Sequence, residues 1–359
     1  VDASNEAYAG LRTDACWRRH QSAGLSGTRA ERRLKYMSRD QIWDELIQSR
    51  GGSFLQSNDW NKLQNLLGRY AGRLWVKAAP ALLISYKLPF DRRYLYSPRG
   101  PALDTKAEQR EALKLFLDEV KRGISDQIVF LRIEPPIEDG PESRNDLESL
   151  GFIQAVSAQP ETTRLIDLGK DAEAIFGEMQ YETRYAVKTA ERRGVKIVKA
   201  VGAGEKHRAF KNFWEIFEET NKRHGLKAYP KRYYETVADL SDGCRAEIFE
   251  ARLKDETVSA AIFVTFGKIC VYLYSASRAG YGRYNAPTLL LWRAIKDAKD
   301  QGTTTFDLWG ISHENKRWSG ITAFKKNFGG KELRYVGTWD YVFDKKYYEV
   351  YKLLKKFSF

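Results

Sequence analysis

The sequence contains few of the residues on which disulfide-rich and metal-dependent proteins rely. It has 359 residues but only three cysteines, Cys16, Cys244 and Cys270, and their spacing fits neither a disulfide framework nor a zinc site. Its four histidines are not paired on a predicted helix, which argues against a metalloenzyme. We therefore expect a reduced, cytoplasmic protein that holds no metal.

Acidic residues are also in deficit, because 60 Lys and Arg face 47 Asp and Glu, giving a net charge of +13. Such an excess favours an anionic partner. A hydrophobic fraction of 43% excludes wholesale disorder. The length exceeds the roughly 250–300 residues at which single cores stop growing, so two domains are expected.

The first 36 residues lack the apolar periodicity of the rest. They contain no apolar core of about 7–15 residues, as a secretory signal would. We interpret residues 1–36 as a disordered leader or a translated upstream region. Regular patterning starts after Met37, where Ser38 can cap a helix that carries Trp43 and Ile47 on one stripe.

Long uncharged apolar runs are absent as well. The best candidate for a membrane span, Thr257–Ala276, carries Lys268 at its middle. It is rich in β-branched and aromatic residues, and Gly267-Lys268 divides it into two halves of strand length. The pattern favours a buried hairpin.

The predicted elements occur twice in the same order: helices, a strand meander, a helix and an apolar strand. Tyr94-Leu95-Tyr96-Ser97 and Tyr272-Leu273-Tyr274-Ser275 occupy matching places, and each precedes a long amphipathic helix. Apolar strands containing Phe130 and Phe306 follow. Coincidence between two aromatic strands is the alternative. We predict an internal duplication in the α/β (α+β) class, with mixed, mostly antiparallel sheets flanked by helices.

This order is the layout of the N-acyltransferase (GNAT-like) fold, and two tandem copies would place a ligand groove between the sheets. Acyl-CoA enzymes of this fold bind a pyrophosphate at a Gly-rich strand-to-helix turn. Here the turn Arg278–Arg283 is one residue short of Arg-x-x-Gly-x-Gly. The CoA signal is weak, and we expect no cofactor.

Six short segments, in the correct order, make the chain resemble the Fem family of non-ribosomal peptidyl transferases, which build peptidoglycan cross-bridges. They are Phe54-Leu-Gln-Ser57 with Trp60, Arg99-Gly-Pro101, Leu131-Arg-Ile-Glu-Pro-Pro136, Thr183-Arg184 through Arg193-Gly194-Val195, Phe306-Asp-Leu-Trp-Gly-Ile311, and Phe324-Lys325-x-x-Phe328-Gly-Gly330. The resemblance implies two GNAT-like domains. It also implies transfer of an amino acid from aminoacyl-tRNA to an amine of a muramyl-pentapeptide, carried by UDP-MurNAc or by lipid II.

The domain organisation follows from this resemblance. We expect domain 1 at 37–160, completed by 337–359, and domain 2 at 161–336. Between residues 200 and 245 there is no heptad run for the coiled-coil arm of staphylococcal-type members. The chain is therefore similar to the compact FemX-type members, and we expect a monomer.

For catalysis, the resemblance points to Lys325 beside Phe324, where a lysine contacts the acyl-transfer centre and could neutralise developing charge or hold the tRNA end. The alternative is one more solvated lysine near Lys326 and Lys331. Glu134 occupies a position where the family usually has Asp. A role as a base or in orienting the amine competes there with a salt bridge to Arg132 or Arg164.

Substrate-binding candidates follow from the same resemblance. Trp60 and Lys62 match the region that contacts the nucleotide sugar, and Asn58 stands where family members can have Lys. Trp60 could stack on uracil or belong to the core. Arg223 could bind a diphosphate, or be a cation favoured at a helix end. Tyr274 could donate a hydrogen bond to the substrate, and Tyr272, two residues away on the same predicted face, competes for this role.

Two basic helices are candidate contacts for tRNA. Arg184, Lys188 and Arg192 recur at helical spacing in the stretch 171–193, and Lys326 lies near the predicted centre. Such a stripe is a solvated face or an RNA surface. The C-terminal helix around Lys345-Lys346 and Lys355-Lys356 could touch tRNA or an anionic membrane peripherally, or pack on domain 1.

Two other functions remain open on the residues alone. One is an acyl-CoA-dependent N-acyltransferase of the same fold. The other is a non-catalytic basic RNA-binding protein, which would bind RNA in a salt-sensitive way without binding the muramyl precursor.

Overall fold

The computed structural model describes residues 37–103, 109–225 and 227–357, with the side chains of residues 224, 356 and 357 excluded. The predicted leader at 1–36 lies outside these residues. The chain forms two compact units. Unit 1 contains the chain up to Glu161 and again from Arg334 onward. Unit 2 is Thr162–Leu333.

Unit 1 consists of a six-stranded mixed sheet with helices. Its helices are α1 (Arg39–Gln48), α2 (Asn58–Leu66), α3 (Gln109–Gly123), α4 (Pro141–Ser149) and the C-terminal α11 (Lys345–Phe357). Its strands are β1 (Tyr70–Leu74), β2 (Ala81–Lys87), β3 (Arg93–Ser97), β4 (Ile128–Ile133), β5 (Ile153–Gln154) and the late β13 (Trp339–Val342). As predicted, Ser38 caps α1, where it forms a capping box with Gln41.

The sheet of unit 1 has the order β1-β2-β3-β4-β13-β5. Only the β3–β4 pair is parallel, and α3 provides the crossover between the two strands. β4 is buried along its whole length, and its residues are apolar except Arg132, whose charge is paired with Asp340. Leu131 packs with α3 on one face, and Phe130 packs with Tyr348 of α11 on the other. One face of the C-terminal helix therefore packs on unit 1, which was one of the predicted alternatives.

Unit 2 contains a seven-stranded mixed sheet. Its helices are α5 (Ala172–Gly177), α6 (Tyr181–Arg192), α7 (Gly202–His224), α8 (Lys231–Ala238), α9 (Ala286–Asp300) and α10 (Ser319–Lys326). Its strands are β6 (Thr162–Asp167), β7 (Val195–Lys199), β8 (Cys244–Leu253), β9 (Glu256–Phe266), β10 (Ile269–Ser277), β11 (Thr305–Asp307) and β12 (Lys331–Arg334). The stretch predicted as helical at 171–193 forms two helices. Asp171 and Gln180 are their N-cap residues, and the extended backbone of Gln180 separates the two helices.

The second sheet has the order β12-β6-β11-β10-β9-β8-β7. β9 and β10 form the predicted hairpin, and within the described residues no helix is long and apolar enough to cross a membrane. β10 and β11 are parallel and are joined through α9. Both units therefore contain an antiparallel hairpin, then a helix, then a strand parallel to the second strand of the hairpin. The predicted α+β class with two mixed sheets is confirmed.

Candidate active site

An opening between two parallel strands is the central feature of unit 2. Pairing of β10 with β11 ends at Val271 and Asp307, although β10 continues to Ser277. Beyond Asp307 the chain continues beside β6, with which β11 already pairs. Leu308 donates its N–H to the carbonyl of Arg164, and Ile311 to that of Thr162, both at 2.9 Å. The backbone after β11 therefore separates from β10, and such a split between strands is a common place for a ligand.

Lys325 of α10 reaches into this region. Only 5% of its surface is exposed, and its Nζ donates a 2.9 Å hydrogen bond to the carbonyl of Gly310. The Nζ atom also lies 5.8 Å from the ring centre of Tyr272. Burial lowers the pKa of Lys325 to about 8, against the opposing effect of the Asp307 charge. The alternative of a solvated lysine is wrong, since this amine is desolvated and held in one direction.

A tight turn holds α10 in place. Gly329 and Gly330 both have positive φ, and a Cβ at Gly330 would lie 2.5 Å from the carbonyl oxygen of Leu165. Arg164 donates to the carbonyls of both glycines at 2.9 and 2.8 Å. Phe324 packs against the core of unit 2 and contacts Phe328 edge-on. The Phe-Lys-x-x-Phe-Gly-Gly segment thus fixes the position of the lysine, while Lys326 is exposed.

Asp307 is a site residue that the sequence prediction did not select. It is buried at the end of β11, accepts a hydrogen bond from the hydroxyl of Thr163, and accepts a 2.7 Å bond from the N–H of Trp309. Trp309 has a φ of 59°, a left-handed conformation that is costly for a bulky residue. The sequence contained a signal for this site residue, because Asp307 is a charged residue at the end of an apolar strand, shortly before Gly310.

Tyr272 and Tyr274 lie on opposite faces of the sheet, so the prediction of a shared face is wrong. The register between β9 and β10 shifts between these two tyrosines, which indicates a β-bulge at Leu273 and reverses the alternation of side chains. Tyr272 stacks on Phe263 within the core on the side of α9. Tyr274 faces α7 and α8, and its hydroxyl is 3.2 Å from that of Tyr233. Tyr272, not Tyr274, adjoins Lys325.

Arg223 is exposed near the end of α7 and donates a 3.2 Å hydrogen bond to the carbonyl of Ser277, the last residue of β10. Glu219 lies 3.8 Å away on the same helix. A backbone carbonyl and a helix neighbour therefore hold this guanidinium at the strand end that also carries Tyr274.

Arg278, in the turn that would receive a CoA pyrophosphate, is surrounded by carboxylates. It lies 3.8, 3.5 and 3.4 Å from Glu215, Glu219 and Glu256, respectively. These negative charges oppose a diphosphate at this turn.

Glu134, at the end of β4 in unit 1, is buried and accepts hydrogen bonds from neutral donors. Its Oε2 accepts from the hydroxyl of Tyr96 at 2.6 Å, and its Oε1 accepts from Thr338 at 2.7 Å and from the Gln159 N–H at 2.9 Å. Burial and the Glu134 carboxylate raise the pKa of Tyr96 well above its usual value. The alternative of a salt bridge to an arginine is wrong, because other groups occupy both arginines.

Those two arginines have different partners. Arg132 forms a two-pronged hydrogen bond with Asp340, at 2.8 and 2.7 Å. Arg164 lies 3.5 Å from Glu332, in addition to its bonds to the glycine carbonyls.

The predicted nucleotide-sugar residues of unit 1 lie around α2. Trp60 is buried and packs edge-on against Phe54 at 5.5 Å, which is the geometry of a core tryptophan. Asn58 is buried too and accepts a 3.1 Å hydrogen bond from Arg73. Lys62 is half-exposed, 3.5 Å from Asp40. Partial burial would raise the pKa of Asp40, but Arg73 and Lys62 hold it below its usual value.

The basic stripe on α6 is accompanied by two tyrosines that the sequence prediction missed. Arg184, Lys188 and Arg192 share one helix face with Tyr181 and Tyr185, since the five positions follow spacings of three and four residues. The tyrosines are 67% and 55% exposed and stack at 6.5 Å. Arg184 and Arg192 lie 6.0 and 5.8 Å from the two rings. The i, i+4 spacing of aromatic residues within a basic stripe was the available signal.

The structure therefore groups the predicted residues into separate sets within each unit. In unit 2, Lys325, Phe324 and Tyr272 lie around the strand opening, Arg223 and Tyr274 lie at the end of β10, and the basic stripe follows α6. In unit 1, Asn58, Trp60 and Lys62 belong to α2, and Glu134 follows β4. Among the described residues, no three His, Cys, Asp or Glu side chains are grouped as a metal site would need.

Comparisons with known proteins identify the family of this chain. The model of the FemAB family matches residues 147–254 and 242–356. A UDP-N-acetylmuramoylpentapeptide-lysine N(6)-alanyltransferase from Weissella viridescens is 25% identical over 337 residues, covering 90% of this chain and 97% of that protein. A lipid II:glycine glycyltransferase from Staphylococcus haemolyticus is 22% identical, covering 85% of this chain and 91% of that protein. The crystal structure of FemX superposes with a TM-score of 0.76 at 21% identity, covering 88% of this chain and 98% of that one, which establishes the fold.

Proposed function

The chain belongs to the FemAB family, and we propose that it is an aminoacyltransferase that adds an amino acid to the stem-peptide amine of a peptidoglycan precursor, UDP-MurNAc-pentapeptide or lipid II. The donor in this proposal is aminoacyl-tRNA, which places the reaction in the cytoplasm. The similar alanyltransferase and glycyltransferase support the acceptor class, because both are named for acting on such precursors.

The observation that carries the proposal is the buried amine of Lys325 beside an opening between parallel strands. In the reaction, the acceptor amine attacks the ester carbonyl of the charged tRNA. A C–N bond forms, the bond to the ribose oxygen breaks, and the proton lost by the amine ends on that oxygen. The ester is already activated, so no covalent enzyme intermediate is needed.

Lys325 acts in this scheme as a fixed cation that stabilises the negative oxygen of the tetrahedral intermediate. Its desolvation strengthens such an interaction, because water no longer screens the charge. Asp307 helps to keep the lysine protonated, and Phe324 and Tyr272 provide apolar walls. Glu134 has a positioning role in unit 1, since its neutral donors connect β3, the loop before β6 and the segment before β13.

The acceptor and the donor use other surfaces in the proposal. Arg223 and Tyr274 bind the acceptor at the end of β10, and Lys62 with Asn58 contributes from α2. Trp60 supports α2 from within the core. The stripe of Arg184, Lys188 and Arg192 binds the tRNA backbone, together with Lys326.

The decisive experiment incubates the protein with a total pool of charged tRNA and either acceptor, and measures the acceptor by mass spectrometry. We expect one added amino acid, loss of the product after RNase treatment, and strongly reduced product with Lys325→Ala. Lys331→Ala, which removes an exposed lysine of β12, is the matched control and should behave as wild type. No transfer from any charged tRNA to either acceptor would refute the proposal. Binding of acetyl-CoA by calorimetry, or of RNA without the precursor, would favour one of the two other functions.

A further inference from the structure

The turn that joins β2 to β3 carries a phenylalanine whose exposure the packing of unit 1 does not explain. Phe90 is 83% exposed, and its φ of 56° places it in the left-handed region, which disfavours bulky residues. Asp91 follows with a φ of 53°. An aromatic ring that is both exposed and in an unfavourable conformation adds little to folding, so its position points to an external contact.

This turn is attached to the beginning of α11. The hydroxyl of Tyr347 donates a 2.6 Å hydrogen bond to the carbonyl of Pro89. Arg92 forms an ion pair with Asp344 and lies 5.6 Å from the ring of Tyr347. The turn and the helix are therefore parts of one surface within unit 1.

The outward face of α11 is both apolar and basic. Tyr348 and Tyr351 point inward and pack on Phe130. The opposite side exposes Val350 and Leu353, at 41% and 56%. Lys345 and Lys346 are exposed one to two turns before these aliphatic residues, and the exposed Glu349 on this side is ion-paired with Lys352 at 2.7 Å. An apolar stripe bordered by lysines is the composition of helices that lie in the interface of a membrane.

We propose that Phe90 and the outward face of α11 dock on an anionic phospholipid bilayer. The aromatic ring and the aliphatic side chains would enter the boundary of the acyl chains, while the lysines pair with lipid phosphates. This inference rests on the proposed function, because a lipid-linked acceptor is presented at a bilayer. It deepens that function by giving the protein its own means of reaching such an acceptor.

RNA fits this surface less well than a bilayer does. Of Phe90, Val350 and Leu353, only Phe90 has a π-face on which a base could stack, whereas α6 exposes two stacked tyrosines. Aliphatic side chains gain from burial in hydrocarbon and gain nothing from a phosphate backbone. The combination of lysines with aliphatic residues therefore favours lipid.

The test measures co-sedimentation of the full chain with phosphatidylcholine vesicles, with and without phosphatidylglycerol, in the absence of donor and acceptor. We expect binding that requires phosphatidylglycerol and weakens with salt. Phe90→Asp and Leu353→Asp should each lower the partition coefficient about tenfold or more, because each removes a large apolar group that the bilayer would bury. Leu115→Asp is the matched control, since Leu115 is exposed on α3, across the sheet from α11.

A second variant guards against misfolding. Lys345→Gln combined with Lys346→Gln changes only exposed side chains and should weaken binding to anionic vesicles alone. Transfer to the soluble nucleotide-linked acceptor should stay unchanged in Phe90→Asp, while transfer to a lipid-linked acceptor in vesicles should fall. Equal binding of wild type and all variants, no preference for phosphatidylglycerol, or loss of tRNA binding in place of vesicle binding would overturn the inference. The vesicle-binding results do not depend on whether transfer is detected, so they test this inference separately from the proposed function.

Discussion

The Nζ of Lys325 donates a 2.9 Å hydrogen bond to the carbonyl oxygen of Gly310, which joins α10 to the chain that follows β11. An ammonium group has three N–H donors, and Gly310 engages one of them. The bond therefore orients the amine and does not use its other two N–H donors. Because the same amine is desolvated, its protonation state should change near neutral pH and should be visible in kinetics.

The first prediction concerns the pH dependence of transfer. The acceptor amine must lose a proton, so the rate should rise with pH, and it should fall again as Lys325 deprotonates near its pKa of about 8. Lys325→Arg keeps the cation and should move the falling limb to higher pH. Lys325→Ala should lower kcat by roughly 10²–10³-fold. A falling limb that is the same in Lys325→Arg would contradict this assignment, and Lys331→Arg provides the control.

The second prediction concerns stability. The folded pKa of Lys325 is about 8, whereas the unfolded value is near ~10.4. Between these values the unfolded chain binds more protons, so stability should rise with pH across this window and carry a constant penalty below it. Lys325→Met removes the charge and should stabilise the protein at pH 7 by up to about 3 kcal/mol. Urea unfolding of both proteins at pH 7 and at about pH 10 measures the effect; equal pH dependence would contradict it.

The architecture of the sheets could be predicted because it depends on patterns that extend over many residues. The apolar stretch around Phe130 predicted a strand, and β4 (Ile128–Ile133) contains it. Gly267-Lys268 in a stretch rich in β-branched residues predicted the hairpin of β9 and β10. The predicted domain boundaries at 160/161 and 336/337 stay predictions.

Details of the site could not be predicted because single tertiary contacts decide them. No Gly or Pro marks the bulge at Leu273, yet it sends Tyr272 and Tyr274 to opposite faces. The burial of Lys325 was equally invisible, since its sequence neighbour Lys326 is exposed. Family resemblance identified this lysine, but only the packing around it shows why its amine is unusual.

The third prediction uses the ion pair of Arg132 and Asp340, which joins β4 to β13 across 208 positions of the chain. Both side chains are buried, and Tyr348 donates a 2.7 Å hydrogen bond to the same carboxylate. Asp340→Ala would leave a buried guanidinium without its partner, and should cost about 3–5 kcal/mol of unfolding free energy. The more exposed pair Arg144–Asp139 is the control, and Asp139→Ala should cost much less than Asp340→Ala. Equal losses in urea unfolding would contradict the prediction.

The fourth prediction separates stacking from charge on α6. If the exposed, stacked rings of Tyr181 and Tyr185 hold unpaired bases of the donor, replacing either by Ala should weaken tRNA binding roughly tenfold without changing its dependence on salt. Lys188→Gln should instead reduce the slope of log K against log salt by about 1, because it removes one phosphate contact. Tyr→Phe at both positions keeps the rings and should restore affinity. Fluorescence anisotropy with charged tRNA over a salt series measures both quantities. If the Ala and Gln variants change affinity and slope in the same way, the tyrosines only shape a charged face. The prediction of base stacking on this helix is then wrong.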